Sequence, residues 1–231
     1  MLLKEYYFPT QIFFKDLADH EQINASLLDY IYQCRAQDEA GIVRSNVKEV
    51  NAWHSALDMH HHQPFRPLVK AVMDTLGEVF ENLDYHPDYE PVCNTMWANV
   101  SPRYGFNRGH THPGSLWSGV YYVQAPEGAG KIYFNDPRAQ AHVILPRYRR
   151  DRARQAESWS EVYFAPTTGR LIVFPAWLLH EVQPNLATEE GAAGNRISIS
   201  FNIHQEIKPG ASAESEPGHD AGGNVSRSQL E

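Results

Sequence analysis

Residues 110–123 read HTHPGSLWSGVYYV, and this stretch decides the fold. Pro113, Gly114 and Ser115 punctuate the chain as a turn. After them, SGVYYVQ at 118–124 is rich in the β-branched and aromatic residues that suit a pleated, packed surface, which predicts a strand. The same texture continues on both sides. Short β-type runs separated by Gly, Pro and Asn occur at 92–100 (VCNTMWANV), 130–135 (GKIYFN), 141–145 (AHVIL), 161–164 (EVYF), 170–175 (RLIVFP) and 196–204 (RISISFNIH). So many short strands at this spacing predict a sandwich or barrel spanning 91–205.

The N-terminal third has a different period. A cap at Asn24-Ala25-Ser26 is expected to open a helix that carries Leu27, Leu28, Ile31 and Cys34. A stronger helix is expected from Pro64 to Leu83, where Leu68, Val69, Val72, Met73, Leu76, Val79, Phe80 and Leu83 make one apolar stripe. Residues 1–90 therefore read as a helical region packing on the β-rich part. Residues 206–231, rich in Gly, Ser, Glu and Pro, read as a disordered tail with too little apolar surface to offset ordering entropy.

Composition narrows the function. At 231 residues and 42% apolar content, the chain can bury one large core. A net charge of −8 argues against general affinity for nucleic acid or anionic membrane surfaces. The basic run RYRRDRAR at 147–154 contains Asp151 and reads as a solvated surface. Two cysteines, Cys34 and Cys93, offer no disulfide framework and fit a reducing compartment. No apolar run is long enough for a signal sequence or a membrane span, so a soluble, cytoplasmic protein is expected.

Histidines carry the chemistry. In an extended segment alternate side chains share a face, so His110 and His112 point two imidazoles to one side. Neutral imidazole is a ligand for iron, copper, nickel or zinc. Alone, the pair reads better as part of a surface loop. His180, in GRLIVFPAWLLHEVQPN, follows a buried strand and a turn and would face back toward the core. A His-x-His about seventy residues ahead of a strand-edge His is how a jelly roll gathers three metal ligands on one side. His60, His61 and His62 are consecutive and diverge by about 100° per residue on a helix, so a solvated turn is the better reading. His204 could face the barrel, though nothing local requires it.

In RISISFNIH, alternation places Ile197, Ile199, Phe201 and Ile203 on one face and Arg196, Ser198, Ser200 and Asn202 on the other. The polar face could simply meet water. Alternatively, the forked guanidinium of Arg196 with the Ser198 hydroxyl beside it suits a carboxylate. Asn99 is a weaker candidate on a neighbouring strand. Tyr121 and Tyr122 fall on opposite faces of theirs, and Tyr121 is the one assigned to the cofactor site.

Taken together, HTHPGSLWSGVYYV, GKIYFNDP, RLIVFPAWLLHEVQPN and RISISFN resemble the 2-oxoglutarate/Fe(II) oxygenases of bacteria and phages, with FPTQIF and the N-terminal helices fitting the same pattern. The resemblance covers most of residues 6–205 and is most specific at HTHPGSLWSGVYY. It implies a double-stranded β-helix (a jelly-roll, cupin-like barrel) that binds Fe(II) and 2-oxoglutarate. Arg196, helped by Ser198, would hold the co-substrate's far carboxylate. Oxidative decarboxylation to succinate and CO2 would be coupled to O2-dependent oxidation of a small-molecule or peptide substrate. The sequence departs from the wider superfamily where His112 replaces the customary carboxylate. Asp136, in FNDP, could supply one instead, although a turn-capping role is the expectation. A cupin-type metal enzyme and a non-catalytic metabolite-binding barrel are the rival readings. A cupin would need a Glu a few residues after His112, where GSLW supplies none, and has no use for Arg196. A homodimer is the default assembly.

Overall fold

The computed structural model describes residues 2–4, 6–45 and 47–211. In chain order its elements are β1 (Phe13–Asp16), α1 (His20–Gln37), α2 (Ala40–Arg44), β2 (Trp53–His54), α3 (Arg66–Asn82), β3 (Tyr89–Ser101), β4 (Asn107–His110), β5 (Trp117–Gln124), β6 (Ile132–Asn135), β7 (Glu161–Phe164), β8 (Arg170–Pro175), β9 (His180–Val182) and β10 (Arg196–Ile207), with short 3-10 turns between. Ten strands make two sheets, ordered β1-β8-β5-β10-β3-β2 and β4-β9-β6-β7. Every strand pair described within them is antiparallel. The sheets face each other as a jelly roll and do not close into a barrel, since no ladder among the described residues joins one to the other.

Period-two alternation assigns the two faces of the six-stranded sheet. Trp117, Tyr121 and Val123 of β5, Leu171 and Val173 of β8, and Ile197, Ile199, Phe201 and Ile203 of β10 enter the core shared with α1 and α3. Leu68, Val72, Leu76, Val79 and Phe80 of α3 meet them there, as the helical stripe predicts. The intervening residues Val120, Tyr122, Ile172 and Phe174 face the four-stranded sheet, where Ile132, Phe134 and Leu178 complete a second core. Gly119 permits the closest approach inside the large sheet. A Cβ there would lie 2.2 Å from the Phe201 ring and 2.6 Å from the Ile172 carbonyl oxygen.

Several expectations need correction. The first helix begins at His20, not after Asn24, because Asn24 is a buried residue inside the helix whose amide oxygen accepts a hydrogen bond from the Tyr121 hydroxyl at 2.8 Å. The predicted strand at 141–145 does not form: Ala139–His142 is a 3-10 turn, and Val143, Ile144 and Leu145 stand in solvent. The N-terminal third is not purely helical, since β1 and β2 form the two edges of the large sheet. The last strand continues to Ile207, and residues 208–211 follow it; the remainder of the expected disordered tail, 212–231, lies outside the described residues. Cys34 and Cys93 are both free thiols. No helix among the described residues is long and apolar enough to cross a membrane.

Candidate metal and co-substrate site

β4 ends on His110 and β9 begins on His180, and the two residues are register partners in the small sheet. The chain turns immediately after β4, and His112 is held at that turn by its backbone N–H, which donates to the Ala176 carbonyl at 2.8 Å. One ligand-competent atom from each of His110, His112 and His180 then lies within 4.8 Å of the others. The His-x-His pair converges as expected, although His112 sits beyond the strand rather than on it.

Hydrogen bonds choose the nitrogen that each ring presents. His110 Nδ1 lies 2.7 Å from the Arg108 carbonyl oxygen, and His180 Nδ1 lies 2.9 Å from that of Leu178. A carbonyl only accepts, so both rings carry their proton on Nδ1 and leave the Nε2 lone pair facing the cluster. Burial keeps two of the rings neutral, lowering His112 to about 4 and His180 to about 3. Phe174 and Phe134 pack against the His180 ring at 4.6 and 5.9 Å between centroids, fixing its plane.

The cluster stands at a cavity of about 200 Å³ between the sheets, lined also by His54, Trp97, Asn99, Asn107, Tyr122, Ser198 and Ser200. Ser198 and Ser200 of the polar face of β10 therefore look into this cavity, while Asn202 bonds Ser118 and Thr95. Arg196 lies behind this wall and is 2% exposed. Its guanidinium donates to the backbone carbonyls of Ala129, Gln183 and Gly105, and no carboxylate among the described residues lies within 4 Å of it. Burial lowers it to about 10, so it still carries its charge at neutral pH. A buried cation with no counter-ion is costly and creates a strong preference for an anion nearby.

Tyr122 and Tyr121 exchange the places expected of them. Tyr121 points into the helix-side core, bonded to Asn24, and does not reach the cavity. Tyr122 lines the cavity, and its buried hydroxyl has no hydrogen-bond partner among the described residues. Burial raises it to about 12, against the pull of Arg196, so it is a neutral donor. Asn99 does line the cavity and donates to the Ser200 hydroxyl at 3.3 Å. Asp136 stays outside the cluster. Its carboxylate accepts the Arg138 backbone N–H at 3.0 Å and pairs with the Arg138 guanidinium, the turn-capping role expected of it. His60 and His61 sit on a 3-10 turn with their rings in contact and tilted at 42°, while His62 bonds the Tyr30 hydroxyl. Two residues escaped sequence reading: His54 stacks on Trp97 at 5.6 Å, and Trp97 in turn packs against His112 at 5.8 Å. No local pattern announces them, because the contact is made by strand pairing across more than forty residues.

Three nitrogen donors, a buried unpaired cation and an orphaned hydroxyl fit a transition metal together with an acidic chelator. Residues 95–202 match the family model described as "Putative 2OG-Fe(II) oxygenase". This segment belongs to the 2OG-Fe(II) oxygenases. The oxygenase is an oxidoreductase whose cofactors are Fe(II) and 2-oxoglutarate. Its fold is similar to that of a Pseudomonas putida prolyl-4-hydroxylase, with 16% identity, a TM-score of 0.52, and 84% of this chain and 92% of that one covered. It is also similar to the epimerase SnoN in complex with Fe3+, alpha ketoglutarate and nogalamycin RO, at 14% identity and a TM-score of 0.58, covering 92% of this chain and 88% of that one. A third is AviO1 from Streptomyces viridochromogenes Tue57, at 16% identity and a TM-score of 0.51, covering 86% and 91%. At these identities the likeness speaks for the fold alone. No curated protein matches the sequence.

Proposed function

We propose that His110, His112 and His180 hold the iron of a 2-oxoglutarate-dependent dioxygenase and that Arg196, Ser198, Tyr122 and Asn99 seat its co-substrate. The observation that carries this reading is the convergence of three imidazole nitrogens at a cavity backed by a buried, uncompensated guanidinium. Iron(II) with 2-oxoglutarate supplies O2-dependent oxidation of a substrate C–H bond, coupled to decarboxylation of the co-substrate to succinate.

The protein's own residues prepare that chemistry. The Nδ1–H groups of His110 and His180 donate to backbone carbonyls, which fixes both rings before metal arrives. The Tyr122 Oη–H gains in a carboxylate the acceptor it otherwise lacks. Arg196 supplies the charge that favours a dianion over a neutral metabolite. Phe134 and Phe174 keep water from the flank of His180, while Trp97 covers His112. The three-histidine set carries one more positive charge than a site with a carboxylate ligand. The dianionic co-substrate offsets part of that excess.

Anaerobic addition of 2-oxoglutarate to the Fe(II)-loaded protein tests the assignment. The expected result is a weak visible charge-transfer band that disappears in His180→Ala. A band that survives in His110→Ala, His112→Ala and His180→Ala alike would refute the ligand set.

A further inference from the structure

The chain between β6 and β7 concentrates positive charge that an acidic protein does not need for solubility. Residues 138–154 hold Arg138, Arg147, Arg149, Arg150, Arg152 and Arg154, six of the 20 Lys and Arg in a chain of net charge −8, with Asp151 as the sole carboxylate. Three of the six are engaged: Arg138 by Asp136, Arg149 by Asp151, and Arg154 by Ser158 and the Tyr148 ring. Arg147, Arg150 and Arg152 have no carboxylate within 4 Å among the described residues.

Immediately before them, Val143, Ile144 and Leu145 are 80%, 84% and 58% exposed. Three consecutive large apolar side chains in solvent are a liability unless something covers them. At the foot of the same loop is a second cavity, about 560 Å³, walled by Phe134–Arg138, Glu157, Trp159, Leu178 and, from the N-terminal stretch, Lys4, Tyr6–Thr10 and Ile12. Tyr6, Tyr7, Phe8, Phe134 and Trp159 give it an aromatic lining beside the carboxylates of Asp136, paired with Arg138, Glu157, paired with Lys4, and Glu161, and its size suits a bulky apolar side chain or two. Phe134 forms part of this wall while its ring also packs on His180, so the cavity abuts the metal centre.

We infer that this loop and the cavity at its foot form a docking surface for an acidic peptide segment that carries apolar side chains. The unpaired arginines match carboxylates, and Val143 to Leu145 match aliphatic or aromatic residues set between those carboxylates. Nucleic acid fits less well, because a phosphate backbone offers nothing apolar to cover Ile144 and the rest of the chain is acidic. Docking here would place the peptide beside the metal site.

The test uses the full chain without metal and reads fluorescence anisotropy. The probe is a fluorescein-labelled 12-residue peptide of Glu interspersed with Leu and Phe, compared with its Lys-for-Glu counterpart and a labelled single-stranded oligonucleotide. Saturable binding of the acidic peptide is expected, weakened at least tenfold by R147E/R150E/R152E, by V143S/I144S/L145S and by raised salt. Both variants keep the charge-transfer band with Fe(II) and 2-oxoglutarate, so failure here and failure of the metal assignment are separately visible. Equal binding of the Lys peptide, tighter binding of the oligonucleotide, or no binding of the acidic peptide overturns the inference. So does concentration-dependent self-association that V143S/I144S/L145S abolishes, since the occupant would then be a second copy of the chain.

Discussion

His112 and His180 meet nitrogen to nitrogen, with their Nε2 atoms 3.3 Å apart and their rings near parallel at 10°. Since His180 keeps its proton on Nδ1, the space between these atoms holds at most one proton, and a metal ion satisfies both lone pairs at once. Replacing any one of His110, His112 or His180 by Ala should lower Fe(II) or Co(II) affinity by at least about 100-fold, exceeding the effect typical of losing a supporting hydrogen bond to a ligand. Competition titration against a chelating dye reads this directly. The substitution at His110 or His112 should leave thermal unfolding of the metal-free protein nearly unchanged, because neither ring is fully buried.

Arg196→Lys separates the two tasks of the guanidinium. The ammonium keeps the charge but cannot reach the carbonyls of Gly105, Ala129 and Gln183 together. Metal-free stability should fall by about 1–3 kcal/mol from the carbonyls left unpaired. The rise in melting temperature on adding 2-oxoglutarate with Mn(II) should also shrink. An undiminished rise would leave Arg196 with a structural task alone.

The adjacent tyrosines should respond in opposite ways. Tyr121→Phe strands the Asn24 amide oxygen in the helix-side core and should cost about 1–3 kcal/mol, with 2-oxoglutarate binding intact. Tyr122→Phe removes a hydroxyl that has no partner in the unliganded fold, so stability should hold or rise slightly while co-substrate affinity drops. Calorimetry on both variants, for unfolding and for binding, decides the matter.

Asp136→Asn tests the turn. The Arg138 guanidinium and backbone N–H hold the Asp136 carboxyl below its usual range. A depressed folded-state pKa means stability present above the unfolded value of about 4 and lost as pH falls through the lower folded value. The wild-type protein should therefore lead the variant at neutral pH, and the gap should close in acid. Metal affinity should be equal in both, whereas a loss in the variant would bring Asp136 back as a ligand.

Much of this was written locally in the chain, and the exceptions have a common cause. The apolar stripe of α3 and the alternation of β10 are one-dimensional patterns, and both faces fall where the pattern puts them. His180 was legible because a strand and a turn precede it. Alternation also separates Tyr121 from Tyr122, yet it cannot say which face of β5 holds the helices, and that depends on how distant strands pair. The run 141–145 has β-type residues but no strand available beside it, so its propensity goes unused. β4 and β9, at 4 and 3 residues, are too short to show any period, and they exist because each pairs with a neighbour. His54 and Trp97 meet only through the pairing of β2 with β3.

The three carbonyls that hold Arg196 come from separate crossings of the chain: Gly105 lies between β3 and β4, Ala129 between β5 and β6, and Gln183 just past β9. One side chain thus buttons the loops at that end of the jelly roll to the start of β10. A descendant that lost its oxidative chemistry would still be under pressure to keep this arginine for folding. Retention of Arg196 in a relative is consequently a weak marker of turnover, whereas retention of the Tyr122 hydroxyl, which nothing in the fold requires, is a sharper one.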